Sequence, residues 1–163
     1  MDPWLDPAEI TTERLSIRAT TRDDLPVMER TWLDPKVRRY LGGPISAEML
    51  ERRRQTQPGR GMFTVTVDGA TVVGFCTYGR TEQGDLELSY SFLPEHWGHG
   101  YAREACAAVL GWGFANVAGT ERIVAITQAA NLRSIRLLKA LNMVKVDEFM
   151  QFDAPQVMYA AYC

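Results

Sequence analysis

The sequence predicts a mixed α+β domain with a mostly antiparallel central sheet of six to seven strands, flanked by about four helices. Segments in which apolar and polar residues alternate, as in half-buried strands, are interspersed with segments in which apolar residues recur every three or four positions, as in helices. Between two alternating segments stands Asp68-Gly69, a pair typical of two-residue hairpin turns. At least two neighbouring strands are therefore expected to be antiparallel.

The length and composition indicate one globular domain over residues 1–163. The chain has 163 residues, 46% of them hydrophobic, which suits one domain with its own core. The formal net charge of −2 is unlike the clustered positive surface of a nucleic-acid-binding protein. The basic run Glu51-Arg52-Arg53-Arg54 lies in a helical pattern and is interpreted as a solvated face. We expect no nucleic-acid partner.

The cysteines and the first residues favour a cytoplasmic protein. Cys76, Cys106 and Cys163 are odd in number and far apart in the sequence, so they predict neither a disulfide framework nor a metal site. The start, Met1-Asp2-Pro3-Trp4, lacks the basic and apolar regions of a signal peptide, and no apolar run approaches the roughly 20 residues that span a bilayer. We expect no metal and no membrane contact.

The first half of the chain is predicted to contain a strand, two helices and a hairpin. Thr12–Ala19 alternates as a strand, and a helix begins near Arg22 and is ended or interrupted by Pro35. A second helix, Ser46–Gln57, begins with a residue that caps helices well and is stopped by Pro58-Gly59. The hairpin strands follow at Met62–Val67 and Thr71–Tyr78.

The second half alternates strands with helices. The strand Asp85–Leu93 has an apolar face and a polar face, the latter formed by Glu87, Ser89 and Ser91, and Pro94 ends it because proline cannot extend a ladder. The remaining elements are predicted as a helix at Tyr101–Ala115, a strand at Arg122–Thr127, a helix at Asn131–Leu141 and strands at Met143–Met150 and Gln156–Tyr162.

Two glycines lie at the junction between that strand and the next helix, in Trp97-Gly98-His99-Gly100-Tyr101-Ala102. Glycine lets backbone N–H groups approach an anion closely, and the first N–H groups of a helix lack intrahelical partners and carry partial positive charge. The junction is therefore a candidate phosphate-binding site. The Gly-x-Gly spacing is also common in ordinary tight turns, and both interpretations stay open at this point.

Three separated segments together resemble one protein family. The first is Glu87–Ala105, with its strand, proline, Trp-Gly-x-Gly-Tyr-Ala and Glu-Ala pattern. The second is Asn131-Leu132-Arg133-Ser134 followed by Leu137–Met143, and the third is the loop Leu33–Gly43. In this order they resemble the GNAT N-acetyltransferases, specifically their RimJ/RimL-like branch. The resemblance covers almost the whole chain and implies a GNAT-like fold.

The resemblance implies acetyl-CoA as the cosubstrate. In this family the glycine turn and the helix start hold the pyrophosphate, a role that falls here to the backbone amides of Gly98–Gly100 and Ala102. Trp97 and His99 stand where the family usually has Gln, Arg or Lys. A side-chain contribution to phosphate binding would therefore come from Arg103 or Arg133. The expected acetyl-CoA-binding residues are Phe92, Leu93, Gly98, His99, Gly100, Tyr101, Ala102, Arg103 and Asn131.

Acetyl transfer to an amine needs a base, a donor for the developing oxyanion and a proton for the leaving thiolate. Glu87 is the candidate base, directly or through water, because strand alternation places it on the polar face. The alternative is that this face is merely solvated. The resemblance implies a backbone N–H near Phe92 or Leu93 as the oxyanion donor and Ser134 as the acid.

Asn131 and Ser134 also fit a purely structural interpretation. Asn is a strong helix N-cap, and Ser134 would then occupy the third helical position. In the family the Asn also bonds the pantetheine arm, and the two roles are compatible. Many superfamily members carry a tyrosine acid seven residues after this Asn, but that position is Leu138 here, so a tyrosine acid is excluded there.

The acceptor stays open at this stage. A small-molecule amine and a protein N-terminal amine both fit the resemblance, the acidic balance slightly favours a cationic acceptor, and a homodimer is compatible with the sequence. Four large side chains are interpreted as acceptor-pocket or core residues, with the core favoured. They are Trp32, Tyr40, Met49 and Met62.

Two other classes of protein are alternatives. A catalytically silent CoA-binding module would keep the glycine turn but transfer no acetyl group. A nucleotide-binding protein would use the turn for another phosphate ligand. Against this second class, the sequence contains neither Gly-x-Gly-x-x-Gly nor Gly-x-x-x-x-Gly-Lys-Ser/Thr, and the hairpin at Asp68-Gly69 is unlike a βαβ unit.

Overall fold

The computed structural model describes residues 9–163, so the chain start, Met1-Asp2-Pro3-Trp4 included, lies outside the described residues. Short 3-10 turns precede the first helix and follow the fifth strand. The strands are β1 (Ile10–Thr11), β2 (Leu15–Ala19), β3 (Met62–Val67), β4 (Thr71–Arg80), β5 (Leu86–Phe92), β6 (Arg122–Gln128), β7 (Val144–Gln151) and β8 (Ala154–Tyr162). The helices are α1 (Leu25–Leu33), α2 (Ala47–Thr56), α3 (Tyr101–Asn116) and α4 (Leu132–Ala140).

The described strands form one mixed sheet in the order β1-β2-β3-β4-β5-β6-β8-β7. Every neighbouring pair is antiparallel except β5 and β6. The predicted α+β class is confirmed, but the predicted six to seven strands become eight. The strand expected from Thr12 begins only at Leu15, because the Thr12 N–H bonds the Leu15 carbonyl (2.9 Å) in a tight turn that separates β1 from β2.

The local signals predicted from the sequence bound two of the helices and form one hairpin turn. The Ser46 hydroxyl accepts a hydrogen bond from the Met49 N–H (3.1 Å) at the start of α2. Asn142 has a φ of 62° after α4, a left-handed conformation that Asn tolerates. Asp68-Gly69 has positive φ at both residues, as the predicted hairpin turn requires. Within the described part of the chain, no helix has the length and apolarity needed to cross a membrane.

The two faces of the sheet carry different helices. On one face the Tyr78 hydroxyl donates to the Val109 carbonyl of α3 (2.6 Å). It passes over Gly113, where a Cβ would lie 2.4 Å from that hydroxyl, so α3 packs closely against the sheet. On the opposite face Phe75 and the serines of β5 look toward α1 across an open cleft. The polar face of β5 therefore lies on the α1 side.

Candidate active site

The sheet is open at its centre, between β5 and β6. These parallel strands pair only through Leu86 with Ile123 and Glu87 with Val124, although both continue well beyond these pairs. Past Glu87 the strands diverge, and the β5 and β6 edges that face each other form no further ladder within the described residues. The result is a wedge-shaped slot in the sheet, with Glu87 at its narrow end.

The end of β5 directs one backbone donor into the slot. The Leu93 N–H donates to the Val73 carbonyl of β4 (3.0 Å), so Leu93 cannot be the oxyanion donor that the sequence left as one of two choices. Because N–H directions alternate along a strand, the Phe92 N–H points the other way, into the slot. The Phe92 carbonyl accepts from the Trp97 indole N–H (2.8 Å). The Phe92 ring packs on Gly74, where a Cβ would lie 2.4 Å from the ring.

The glycine turn presents a run of unpaired backbone amides. Gly98 and Gly100 have φ values of 82° and 78°, a left-handed conformation that other residues rarely adopt. Within the described residues, none of the six N–H groups from Gly98 to Arg103 donates a hydrogen bond, and the first bond of α3 runs from the Glu104 N–H to the Gly100 carbonyl (3.1 Å). Adjacent donors at a helix N-terminus are suited to binding an anion.

Arg14 holds this turn from the start of β2. Its guanidinium donates to the His99 carbonyl (2.7 Å) and to the Glu104 carboxylate (2.8 Å), and it lies 4.9 Å from the centre of the Tyr101 ring. The carboxylate also accepts from the Thr12 hydroxyl (2.5 Å) and the Arg14 N–H (2.9 Å). Burial acts to raise the pKa of Glu104, but these hydrogen bonds hold it below its ordinary value. The carboxylate is therefore ionised at neutral pH and keeps the clamp closed.

The two arginines predicted to assist phosphate binding lie in different environments. The Arg133 guanidinium lies 3.6 Å from the centre of the Trp97 ring, beside the glycine turn, and burial lowers its pKa. Both residues are exposed, but the Arg103 side chain forms no hydrogen bond or ion pair with the described residues. Arg133 is thus fixed against the turn, whereas Arg103 is held only by the helix backbone.

Asn131 caps α4 as the structural interpretation predicted. Its side-chain oxygen accepts a hydrogen bond from the Ser134 N–H (3.2 Å). The Ser134 hydroxyl is in turn hydrogen-bonded to the phenol of Tyr90 on β5. Strand alternation puts Tyr90 on the apolar face, opposite Glu87, Ser89 and Ser91, so the sequence did not predict this contact. Burial raises the pKa of Tyr90, so the phenol stays protonated at neutral pH. Leu138 is fully buried in the core.

Glu87 is half-buried on the α1 side of the sheet. Burial raises the pKa of its carboxyl. No other side chain in residues 9–163 forms a hydrogen bond or ion pair with it. A carboxylate with a raised pKa and no partner cation accepts a proton more readily than an ordinary carboxylate does, which suits a general base.

A cleft of about 340 Å³, counting its open mouth, separates α1 from the sheet. An ion pair between Arg30 and Glu95 (2.5 Å) ties α1 to the segment after β5. Of the four large residues predicted as pocket or core, Trp32 and Met62 line the cleft, whereas Tyr40 and Met49 do not. The lining consists of Met28, Thr31, Trp32, Met62, Phe75, Thr77, Ser89, Tyr90 and Ser91.

A slot beside a run of unpaired amides, with an unpaired carboxylate at its narrow end, has the features of a group-transfer enzyme. A family model described as an acetyltransferase (GNAT) domain matches residues 14–144. The chain therefore belongs to the GNAT acetyltransferase family. The predicted enzyme class and GNAT-like fold are confirmed.

Known proteins resemble the chain over most of its length. The uncharacterized N-acetyltransferase p20 of Bacillus licheniformis is 29% identical over 145 residues, which cover 82% of this chain and 81% of p20. A GNAT-family acetyltransferase from Bacillus anthracis superposes with a TM-score of 0.82 at 25% identity, over 95% of this chain and 98% of that chain. Spermidine N-acetyltransferase from Vibrio cholerae, solved with CoA and spermine, has the same fold, with a TM-score of 0.73 at 17% identity over 93% and 96%.

The Arg14 clamp generates a prediction about the turn. Arg14→Gln removes the bonds to the His99 carbonyl and to Glu104, so the amides become less well ordered and we expect KM for acetyl-CoA to rise roughly three- to tenfold with kcat little changed. Steady-state kinetics measures both constants. Arg103→Gln removes one positive charge from the same region without touching the clamp, and an equal rise in that variant would contradict the positioning role.

Proposed function

We propose that this GNAT enzyme transfers the acetyl group of acetyl-CoA directly to a primary amine, as a RimJ/RimL-like member of the family. The observation that carries this proposal is the run of unpaired amides from Gly98 to Arg103 at the wide end of the slot. A pyrophosphate satisfies such donors, and a thioester arm extended along the slot reaches the end of β5. The resemblance of the sequence to this branch supports the assignment.

The residues around the slot suit two parts of acetyl-CoA, its pyrophosphate and its pantetheine arm. The unpaired amides and the positive end of α3 suit the pyrophosphate, with the Arg133 guanidinium close by. Left-handed φ at Gly98 and Gly100 exposes these amides, and other side chains would strain the turn. At the other end, Asn131 bonds the α4 backbone through its oxygen, which leaves its amide N–H groups to donate to a ligand arm.

The acceptor amine is proposed to enter from the α1 side. The cleft beneath α1 opens onto Ser89, and Glu87 lies about 7 Å further along the same strand face. The ammonium group of an acceptor must lose a proton before it attacks, and Glu87 accepts that proton directly or through water. The amine nitrogen then attacks the acetyl carbonyl, and the C–S bond breaks as the new C–N bond forms.

Two further groups complete the transfer. The Phe92 N–H stabilises the negative charge that develops on the acetyl oxygen. The departing thiolate takes a proton from Ser134, whose hydroxyl is held by the Tyr90 phenol. Ser134 regains a proton from the attacking nitrogen, which must lose its second proton to become the amide. An alcohol is a weak acid, and a second hydroxyl bonded to it spreads the charge that forms when its proton moves.

The acceptor in this proposal is a small-molecule amine or a protein N-terminal amine, and a homodimer is compatible with it. No metal and no nucleic acid take part in the proposed chemistry. Acetyl transfer needs none, because positioning, one base and hydrogen-bond donors supply the catalysis.

The experiment that tests the function combines binding with turnover. We expect acetyl-CoA at 100 times its dissociation constant to stabilise the protein by about 2.7 kcal/mol, seen as a rise in Tm, whereas ATP and NAD give no comparable rise. A screen of amines and N-terminal peptides should then detect acetylated product. Stabilisation without transfer to any amine would indicate a silent CoA-binding module, and no stabilisation would refute the proposal.

The pH dependence of kcat tests the base. In the wild-type enzyme kcat should fall as the pH drops through the raised pKa of Glu87, because the protonated carboxyl cannot accept a proton. Glu87→Gln should lower kcat about 100-fold or more at neutral pH and remove this acidic limb, with KM for acetyl-CoA unchanged. A wild-type profile in the variant would exclude Glu87 as the base.

Ser134→Ala is the matched comparison in the same profiles. Loss of the proton donor should lower kcat across the whole pH range while the acidic limb stays where Glu87 sets it. An Ala variant with wild-type kcat would reduce Ser134 to its place in the cap of α4.

A further inference from the structure

The basic run on α2 is not the uniform solvated face that the sequence predicted. Arg52 and Arg54 are exposed and pair with the carboxylates of Glu48 (3.7 Å) and Glu29. Arg53 is half-buried instead, because the helix turns it inward against α1. Its guanidinium carbon lies 5.1 Å from the centre of the Trp32 indole ring.

Arg53 and the nearby Arg38 form a positive cluster that lacks a carboxylate partner. The Arg38 guanidinium donates to the carbonyls of Gly43 (2.9 Å) and Leu41 (2.6 Å), which fixes its position without neutralising it. In the part of the chain that the structure describes, no Asp or Glu forms an ion pair with either guanidinium. Burial lowers the pKa of both, and the charge of Arg53 lowers that of Arg38 further. A half-buried charge without a counter-charge is costly unless a ligand supplies one.

Trp32 connects this cluster to the acceptor cleft. Its side chain lines the cleft, whose other described walls are apolar side chains and hydroxyl groups with no charged residue among them. The nearest catalytic carboxylate, Glu87, lies beyond Ser89. Arg53 is not itself among the lining residues, but its guanidinium packs on the Trp32 ring, which forms one wall of the cleft.

We propose that Arg53, stacked on Trp32, forms a subsite for an anionic group of the acceptor, so that the acceptor is a small primary amine that also carries a carboxylate. The inference rests on the proposed function and names the class of amine. The amine lies toward Glu87 and the carboxylate toward Arg53, and the methionines and aromatic rings of the cleft contact the apolar part between them. This is the opposite of the cationic acceptor that the net charge of the sequence favoured, since local rather than net charge acts inside a cleft.

The test compares acceptors that differ in the charge of one group. Acetyl transfer is measured for L-leucine, 4-aminobutanoate and 6-aminohexanoate, each beside its own carboxamide, and for spermidine, with kcat/KM expressed per unprotonated amine. We expect at least one carboxylate to exceed its carboxamide by about tenfold or more, and spermidine to be poorer than that carboxylate.

Variants separate the charge of Arg53 from its packing. Arg53→Met keeps an apolar stem on Trp32. In this variant kcat/KM for a carboxylate should lie within about twofold of kcat/KM for its carboxamide, with KM for acetyl-CoA unchanged. Arg54→Gln, on the same helix but paired with Glu29, should keep the wild-type ratio. Both variants are expected to fold, and their Tm values verify this.

The outcomes of these experiments test the Arg53 subsite separately from the proposed acetyl transfer. Wild-type ratios near one, a preference for spermidine, or an unchanged ratio in Arg53→Met overturn the subsite while acetyl transfer stands. If no amine is acetylated, the thermal shift of the CoA-bound protein is measured with each carboxylate and carboxamide. If a carboxylate compound raises the Tm of the CoA-bound protein and Arg53→Met abolishes this rise, the subsite is supported. If no carboxylate compound gives such a rise, the subsite is overturned. No shift with CoA alone is a failure of the proposed function.

Discussion

The site depends on the early end of the pairing between β5 and β6. Two residue pairs hold these parallel strands together, and the other neighbours in the sheet are antiparallel. Backbone N–H and C=O groups inside a protein need partners, and the diverging edges leave such groups without a ladder. An extended ligand arm with amide groups of its own can supply those partners, so the gap in the sheet and the proposed cosubstrate fit one another.

The surroundings of the slot follow from where it opens. At the wide end, two left-handed glycines and a helix N-terminus expose unpaired amides, and the Arg14–Glu104 clamp fixes the turn from β2. At the narrow end, burial raises the pKa of Glu87. Unpaired buried groups of this kind persist only where the rest of the fold is well packed. The tight contact of Tyr78 across Gly113 supplies such packing on the opposite face.

Periodicity and turn chemistry were enough to predict most elements, because caps and hairpin signals act over a few residues. The Asn131 cap and the Asp68-Gly69 turn are local in this sense. The Arg14 clamp and the Tyr90–Ser134 contact join residues between 44 and 90 positions apart, and no local pattern encodes them. Arg53 was misassigned for the same reason, since a helical pattern shows that a face is polar but not which residue the next helix covers.

The most direct test of this account is a crystal structure of the protein with CoA. The pantetheine arm should lie between the diverging parts of β5 and β6, with the pyrophosphate on the amides of Gly98–Arg103 and the thiol near the Phe92 N–H and Ser134. CoA bound outside the slot, or a complex in which β5 and β6 close into a continuous ladder, would contradict it.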